Sequence, residues 1–207
     1  MTDAGNISAK SLEARRPADD DAGVTSFPAL RRAVAGDQAQ IAELMRGSVL
    51  ALFPGFYDQR QSDSAAIHLT VPDLTLIGDG TYYVHEWAGE VVACGGWSRR
   101  QKVYTGSGSL QDDERLIDPS CEPARVRAMF VRGDWTRRGL GRTILEACER
   151  AAYDEGFRSM TLMATLPGVP LYRAFGFQET AQVMVPLPDG VQLEGVVMDR
   201  PISVRGT

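Results

Sequence analysis

The 207-residue chain has few of the residues from which metal sites and disulfide frameworks are built. Its three cysteines, Cys94, Cys121 and Cys148, are far apart, form no Cys-x-x-Cys pair and have no histidine at metal-ligand spacing. His68 and His85 are the only histidines. We therefore expect no bound metal and interpret the cysteines as reduced thiols of a cytoplasmic protein.

The chain also lacks long apolar runs and an excess of positive charge. No apolar run approaches the roughly 20 residues that a membrane helix needs, and charged side chains interrupt the region where a secretion signal would need an apolar stretch. The formal net charge is −5, whereas sequence-independent binding of nucleic acid depends on a broad basic surface. We expect neither a membrane nor a nucleic acid as partner.

The sequence predicts one domain preceded by a tail. Residues 1–25 contain almost no large apolar side chain, so we expect a disordered N-terminal segment. Residues 26–207 suffice for a single core, and 43% of the whole chain is hydrophobic. Their pattern predicts a strand, two helices, a hairpin, a strand, a helix, a strand, a short helix and two closing strands.

Three local signals in this pattern have structural consequences. Asp37 followed by Gln40 predicts an N-cap and a capping box for the first helix. Gly95-Gly96 predicts a bulge or a close backbone approach near the end of the hairpin. Residues 99–122 are polar and predict a long loop, for which a flap over a substrate pocket and a flexible surface insertion both remain open.

The most informative segment is a glycine- and arginine-rich turn that follows a predicted strand, Ala124–Val131, and leads into an amphipathic helix. Gly139 and Gly141 have no Cβ, so the backbone can approach an anion closely, and the first N–H groups of the helix point outward at its positive end. Four arginines add positive charge against one carboxylate, Asp134: Arg132, Arg137, Arg138 and Arg142. The segment predicts a site for a pyrophosphate.

Two familiar phosphate-binding motifs do not fit this turn. A P-loop requires a lysine after its last glycine, and no lysine follows Gly139 or Gly141. A dinucleotide fingerprint requires a third glycine at the position of Ile144.

The turn resembles the acetyl-CoA loop of the GNAT superfamily of N-acetyltransferases. That loop has Gln or Arg, two residues, Gly, one residue, and then Gly or Ala; here it reads Thr136-Arg137-Arg138-Gly139-Leu140-Gly141, with Thr136 in the first position. A second segment is similar to the family's Tyr-x-x-x-Gly-Phe element and reads Tyr172-Arg173-Ala174-Phe175-Gly176-Phe177. Many members have an asparagine seven residues before this tyrosine, where the chain has Thr165.

The resemblance implies an α/β (α+β) fold with a central mixed, mostly antiparallel sheet flanked by helices. It also implies that the strands before the glycine turn and before the short helix splay apart to admit acetyl-CoA, from which an acetyl or other acyl group passes directly to a primary amine of a small molecule. The residues that would bind acetyl-CoA are Met129, Phe130, Val131, Thr136, Arg137, Arg138, Gly139, Leu140, Gly141, Arg142, Thr143 and Thr165.

The chemistry assigns further roles within the resemblance. A backbone N–H near Met129 and Phe130 would stabilise the negative charge that grows on the thioester oxygen. Tyr172 would act as general acid, because a phenol with a pKa of about 10 stays protonated beside a thiol with a pKa of about 8.5. Tyr172 is thus the predicted catalytic residue.

The general base and the acceptor remain open. Some members have a glutamate on the strand before the glycine turn, where this chain has Arg125 and Arg127, so water, Glu86 or His85 could take the amine's proton. The candidate acceptor-site residues are Glu86, Trp97 and Arg127; the arginine could bind a carboxylate or phosphate, or only be solvated.

Two other functions remain open as well. The chain could be a non-catalytic acyl-CoA-binding sensor or subunit, or it could acetylate proteins or peptides. The sequence leaves the oligomeric state open; a homodimer, the commonest form of soluble oligomer, is one possibility.

Overall fold

The computed structural model describes residues 27–101 and 115–203, which form seven strands and five α-helices. The predicted tail, residues 1–25, and the middle of the predicted loop at 99–122 lie outside the described residues. The strands are β1 (Ala29–Arg32), β2 (Tyr82–Trp87), β3 (Glu90–Ser98), β4 (Ala124–Val131), β5 (Ser159–Thr165), β6 (Gln178–Pro186) and β7 (Gln192–Pro201). The helices are α1 (Gln38–Leu52), α2 (Gln59–His68), α3 (Leu74–Gly78), α4 (Leu140–Asp154) and α5 (Val169–Phe175).

The strands form one mixed sheet in the order β1-β2-β3-β4-β5-β7-β6. Every neighbouring pair is antiparallel except β4 and β5, which are parallel. This parallel pairing extends only over Ala124 with Met160 and Arg125 with Thr161, after which the two strands separate. The predicted fold class and the predicted splay are confirmed, and the splay leaves a cleft in the middle of the sheet.

Helices cover both faces of the sheet. On one face, α1 buries Ile41 and Met45 against strand residues that include Tyr82 and Cys94. On the other face, α4 packs an apolar stripe against β3, β4 and β5 and ends at Asp154, two residues before Gly156, which has a left-handed φ of 98°. The cleft between β4 and β5 therefore has helical walls on both sides.

The predicted capping box at the start of α1 is wrong. The Asp37 carboxylate accepts a hydrogen bond from the Val34 N–H at 2.8 Å and two from the Arg31 guanidinium at 2.7 and 2.8 Å. Gln40 instead accepts from the Val91 N–H on β3, at 2.9 Å. Because Arg31 and Val91 lie on strands that fold beside the helix, tertiary partners displace the local cap.

A bulge in β4 alters the predicted alternation of that strand. The sequence predicts Val126, Ala128 and Phe130 on one face, but Ala128 has a φ of +55° and the alternation changes there. Val126 packs on the α4 side of the sheet, whereas Ala128 and Phe130 pack on the α1 side. Met129 consequently lies on the α4 side, beside the cleft.

Candidate active site

The glycine turn places the N-terminus of α4 at the mouth of the cleft. Arg137 and Gly139 have left-handed φ angles of 63° and 88°, and α4 begins directly afterwards without a side-chain cap at Gly139. A β-carbon on Gly141 would lie 2.8 Å from Cδ2 of Leu171 on α5. The first-turn N–H groups of a 15-residue helix thus face a space that glycine keeps open, as anion binding requires.

A cavity of about 480 Å³ follows the cleft from this turn toward α5. The end of α1 closes its other side, through Ser48, Leu52, Phe53 and Phe56. All but two of the predicted acetyl-CoA residues line it: Met129, Phe130, Val131, Thr136, Arg137, Gly139, Leu140, Gly141, Arg142 and Thr165. The structure thus brings together residues that are up to 36 positions apart, from Met129 to Thr165.

The two exceptions are Arg138 and Thr143, which do not line this cavity. The Arg138 guanidinium lies over the Trp135 ring, 4.6 Å from its centroid. The Thr143 hydroxyl faces the sheet, where it donates to the Leu140 carbonyl at 2.9 Å and lies 2.6 Å from His85 Nε2. Both side chains therefore contribute to the packing around α4.

Nearby carboxylates also neutralise more of the positive charge of the turn than the sequence indicates. Arg132 forms ion pairs with Asp134 at 2.8 Å and with Glu90 on β3 at 2.7 Å. Arg142 pairs with Glu146 at 3.0 Å. Glu90 is 42 residues before Arg132, so sequence spacing gave no sign of this partner. Arg137 and the helix N–H groups remain the main positive features that line the cavity.

Tyr172 lies where two cavities meet. It is on α5 with 7% of its surface exposed, and its ring contacts that of Phe177 edge-on at 5.9 Å. Besides the large cavity it lines a smaller one of about 80 Å³, together with Met129 and Thr165. Burial raises the pKa of Tyr172 well above its ordinary value of 10, so the hydroxyl keeps its proton at neutral pH.

The edge of β4 that faces the cleft carries backbone donors. The Arg132 N–H donates to the Val92 carbonyl on β3 at 3.0 Å, and Phe130 pairs with Cys94 in the same ladder. Since N–H groups alternate along a strand, those of Met129 and Val131 point to the other edge, where β5 has separated. Of the two residues predicted to supply an N–H, Met129 has the suitable direction and Phe130 faces β3.

Comparison with known proteins assigns the family. Residues 78–179 match the family model of the acetyltransferase (GNAT) domain, which spans the hairpin, the glycine turn, α4 and the Tyr172 segment. The chain carries a GNAT acetyltransferase domain. The family and the class of enzyme predicted from the two motifs are confirmed. No curated protein is significantly similar to the chain in sequence.

Solved structures share the fold of this GNAT chain at low sequence identity. A GCN5-related N-acetyltransferase from Rhodopseudomonas palustris superimposes with a TM-score of 0.65 and 19% identity, over 85% of this chain and 96% of that one. The PaiA N-acetyltransferase from Thermoplasma acidophilum, solved in complex with coenzyme A, gives 0.59 and 13%, over 85% and 99%. A ribosomal-protein-alanine N-acetyltransferase from Brucella melitensis gives 0.55 and 17%, over 84% and 99%.

Of the predicted acceptor-site residues, only Arg127 reaches a cavity of the GNAT site. It lines the smaller cavity, with its side chain 2% exposed and Nη2 2.8 Å from Asp73 Oδ2. Asp73 was not among the predicted site residues; its carboxylate also accepts a hydrogen bond from the Leu76 N–H at the start of α3. Asp73 directly precedes a five-residue helix and follows Thr70-Val71-Pro72, a stretch that offers little signal for either role.

Trp97 and Glu86 lie elsewhere in the GNAT domain. Trp97 is fully buried beneath α4 and contacts Phe157 edge-on at 5.7 Å, so the structure places this predicted acceptor-site residue in the core and lining neither cavity. Glu86 lines neither cavity and pairs with Arg31 at 2.8 Å. His85 is buried on the same strand, 2.9 Å from the Pro28 carbonyl, and also lines neither cavity. Since β3 separates β2 from β4, neither candidate base borders the cleft.

Residues 27–101 and 115–203 contain neither a bilayer-spanning helix nor a cluster of metal ligands. None of their helices is both long enough and apolar enough to cross a bilayer. Nor do those ranges bring three or more His, Cys, Asp or Glu side chains together in an arrangement that could hold a metal ion.

Proposed function

We propose that this GNAT domain transfers an acetyl group from acetyl-CoA to a primary amine of a small molecule, at the junction of the two cavities. The observation that carries the proposal is the cleft between β4 and β5, which has an uncapped helix N-terminus at one end and the protonated Tyr172 at the other. The fold likeness to the Thermoplasma protein, whose structure contains coenzyme A, supports acetyl-CoA as the donor.

The cavity fits a long phosphorylated thioester. The diphosphate would bind the first-turn N–H groups of α4, where a β-carbon on Gly141 would occupy part of the space. Arg137 and Arg142 line the same end and would add charge-assisted contacts. The pantetheine arm would follow the free edge of β4, where the N–H group of Val131 is available to its amides.

Two groups of the chain would then act on the reacting atoms. The amine attacks the thioester carbon, a C–N bond forms and the C–S bond breaks. The Met129 N–H would donate to the carbonyl oxygen while it carries negative charge. Tyr172 would give its proton to the departing thiolate, and its raised pKa keeps that proton available. We assign removal of the amine's proton to water, because Glu86 and His85 border neither cavity.

The acceptor side favours a small amine. The smaller cavity is only about 80 Å³ and is lined mostly by apolar side chains from β4, from β5 and from the residues directly after α1 and α2, with Arg127 and Asp73 forming a buried ion pair at its edge. A peptide N-terminus is the second candidate, since the Brucella protein shares the fold and is a ribosomal-protein-alanine N-acetyltransferase. We also propose that residues 26–207 form one domain, because a single sheet runs from β1 to β7.

The test measures thiol release from acetyl-CoA with a panel of small primary amines and short peptides, beside calorimetric titration with CoA. We expect turnover with at least one small amine. In Tyr172→Phe we expect kcat to fall by roughly 100-fold or more while CoA affinity stays within about threefold. Tyr153→Phe is the matched control, since Tyr153 lies exposed on α4. CoA binding without turnover on any amine would favour a sensor, turnover on peptides alone would favour the second candidate, and absence of CoA binding would refute the proposal.

A further inference from the structure

We propose that Tyr82 is a positioning residue for acetyl transfer, whose hydroxyl holds the β4 bulge so that the Met129 N–H points into the cleft. Tyr82 is fully buried on β2, and its hydroxyl donates to the Ala128 carbonyl on β4 at 2.8 Å and lies 3.2 Å from Cys94 Sγ. Its ring therefore crosses the whole of β3 to reach a backbone atom two strands away. The proposal rests on the function proposed above.

The geometry of one peptide unit connects this hydrogen bond to the site. A trans peptide is planar, so its C=O and N–H point in opposite directions. No cis peptide occurs in the described residues, and the unit that joins Ala128 to Met129 is therefore trans. Because Tyr82 fixes the Ala128 carbonyl on the β3 side, the Met129 N–H is fixed on the opposite side, which is the cleft.

The bulge needs such a constraint. Ala128 has a φ of +55°, a left-handed conformation that costs an alanine about 1–2 kcal/mol. A residue in this conformation persists only where its surroundings hold it. The hydrogen bond from Tyr82 supplies one such contact at the strained residue itself. Burial keeps the donor intact, since it raises the pKa of Tyr82 and raises that of Cys94 to about 12.

The glycine pair of β3 makes the arrangement sterically possible. A β-carbon on Gly96 would lie 2.7 Å from Cδ2 of Tyr82, so any larger residue there would displace the ring. A β-carbon on Gly95 would lie 2.0 Å from Sδ of Met129, on the other face of the sheet. The Gly95-Gly96 motif thus accommodates Tyr82 on one face of the sheet and Met129 on the other. Both side chains belong to the arrangement that directs the Met129 N–H into the cleft.

The decisive variant is Tyr82→Phe, which keeps the ring and removes the donor. Tyr83→Phe is its matched control, because Tyr83 is also buried on β2 but packs on the opposite face of the sheet. We expect kcat of acetyl transfer to fall roughly 10- to 100-fold in Tyr82→Phe, less than for complete loss of an oxyanion donor, with CoA affinity within about twofold. Tyr83→Phe should retain the wild-type kcat.

A binding measurement separates positioning from general support of the fold. The ketone analogue of acetyl-CoA, in which a methylene group replaces the thioester sulfur, keeps the carbonyl oxygen, whereas CoA lacks it. Tyr82→Phe should weaken binding of the ketone analogue by a factor at least about threefold larger than the factor by which it weakens binding of CoA. Equal losses for both ligands, or a kcat within twofold of wild type, would overturn the proposal.

Two further outcomes are informative. If Tyr82→Phe does not fold, position 82 is replaced by 4-aminophenylalanine, which restores a donor at the same place; a folded protein of this kind with a kcat more than tenfold below wild type would also overturn the inference. If the wild-type chain binds the ketone analogue and releases no thiol with any amine, the proposed transferase function fails. The comparison of the two affinities then still tests the role of Tyr82.

Discussion

Replacement of Gly141 by alanine tests the diphosphate site with a single methyl group. The added carbon would lie 2.8 Å from Leu171 Cδ2, whereas ordinary contacts begin at 3.4 Å. The leucine tip must therefore move by about 0.6 Å, and overpacking of this kind costs about 1–3 kcal/mol. Leu171 lines the cavity, so its side chain would move away from the new methyl group into the space that the ligand occupies.

The cost should appear in CoA affinity more than in stability. Without ligand, Leu171 can shift into the cavity, and alanine gains about 1 kcal/mol over glycine in a helix. When ligand is bound that shift is blocked. Gly141→Ala should therefore weaken CoA binding by roughly 5- to 150-fold, since each 1.4 kcal/mol changes the dissociation constant tenfold. Calorimetric titration measures the affinity, and thermal unfolding should show little loss of stability.

Two controls separate this mechanism from a general effect of glycine replacement. Gly47→Ala lies in α1 with no neighbour within 4 Å of the new carbon, and it should leave CoA affinity unchanged. Leu171→Ala added to Gly141→Ala removes the clashing tip and should recover most of the lost affinity. Wild-type affinity in Gly141→Ala, or a double variant no tighter than the single one, would refute the assignment of this turn as the diphosphate site.

Three further predictions concern protonation and a buried ion pair. Since burial raises the pKa of Tyr172 above 10, kcat should show no decline due to this group between about pH 8 and pH 10 in a pH-rate profile. Burial lowers the pKa of His85 below 6.5, so the unfolded chain binds a proton at this residue more tightly than the folded chain does. The free energy of unfolding should therefore fall as the pH drops below 6.5. In His85→Gln, the slope of this free energy against pH between about 5 and 6.5 should be flatter. Asp73→Ala removes the carboxylate that pairs with the buried Arg127 guanidinium and should cost about 3–5 kcal/mol in urea unfolding, whereas Asp73→Ala with Arg127→Met should recover a large part of it; equal losses in both variants would contradict this.

Much of the fold could be predicted from the sequence because its signals are local. The apolar stripe of α4 and its stop just before Gly156 follow from helical periodicity and from a left-handed glycine, and the hairpin turn at Ala88-Gly89 has left-handed φ angles of 51° and 82°. The capping box at Asp37 failed for a different reason. Its carboxylate is bound by Arg31 on β1, six residues earlier, and by the Val34 N–H, so it is already engaged by the residues that precede α1.

The candidate site likewise has parts that local sequence reveals and parts that only the folded structure reveals. That the glycine turn and the Tyr172 segment would meet at the cleft could be predicted because each motif consists of residues a few positions apart. The position of Trp97 could not be predicted, because the sequence alone does not distinguish a strand aromatic that lines a pocket from one in the core; the structure buries it beneath α4. Asp73 and Glu90 escaped notice because each acts on an arginine about 40 or more residues later in the chain.

The cleft and the bulge have a common origin in the third and fourth strands. Beyond Arg125, β4 loses β5 as a partner, so its remaining N–H groups on that edge have no strand to bind and are available to a ligand. The glycine pair in β3 shifts the register opposite this point and leaves room for Tyr82, which holds the bulge from the far side. An unpaired strand edge is useful for catalysis only if its donors keep a fixed direction. In this GNAT domain a residue two strands away, with no part in binding either substrate, is placed to supply that constraint.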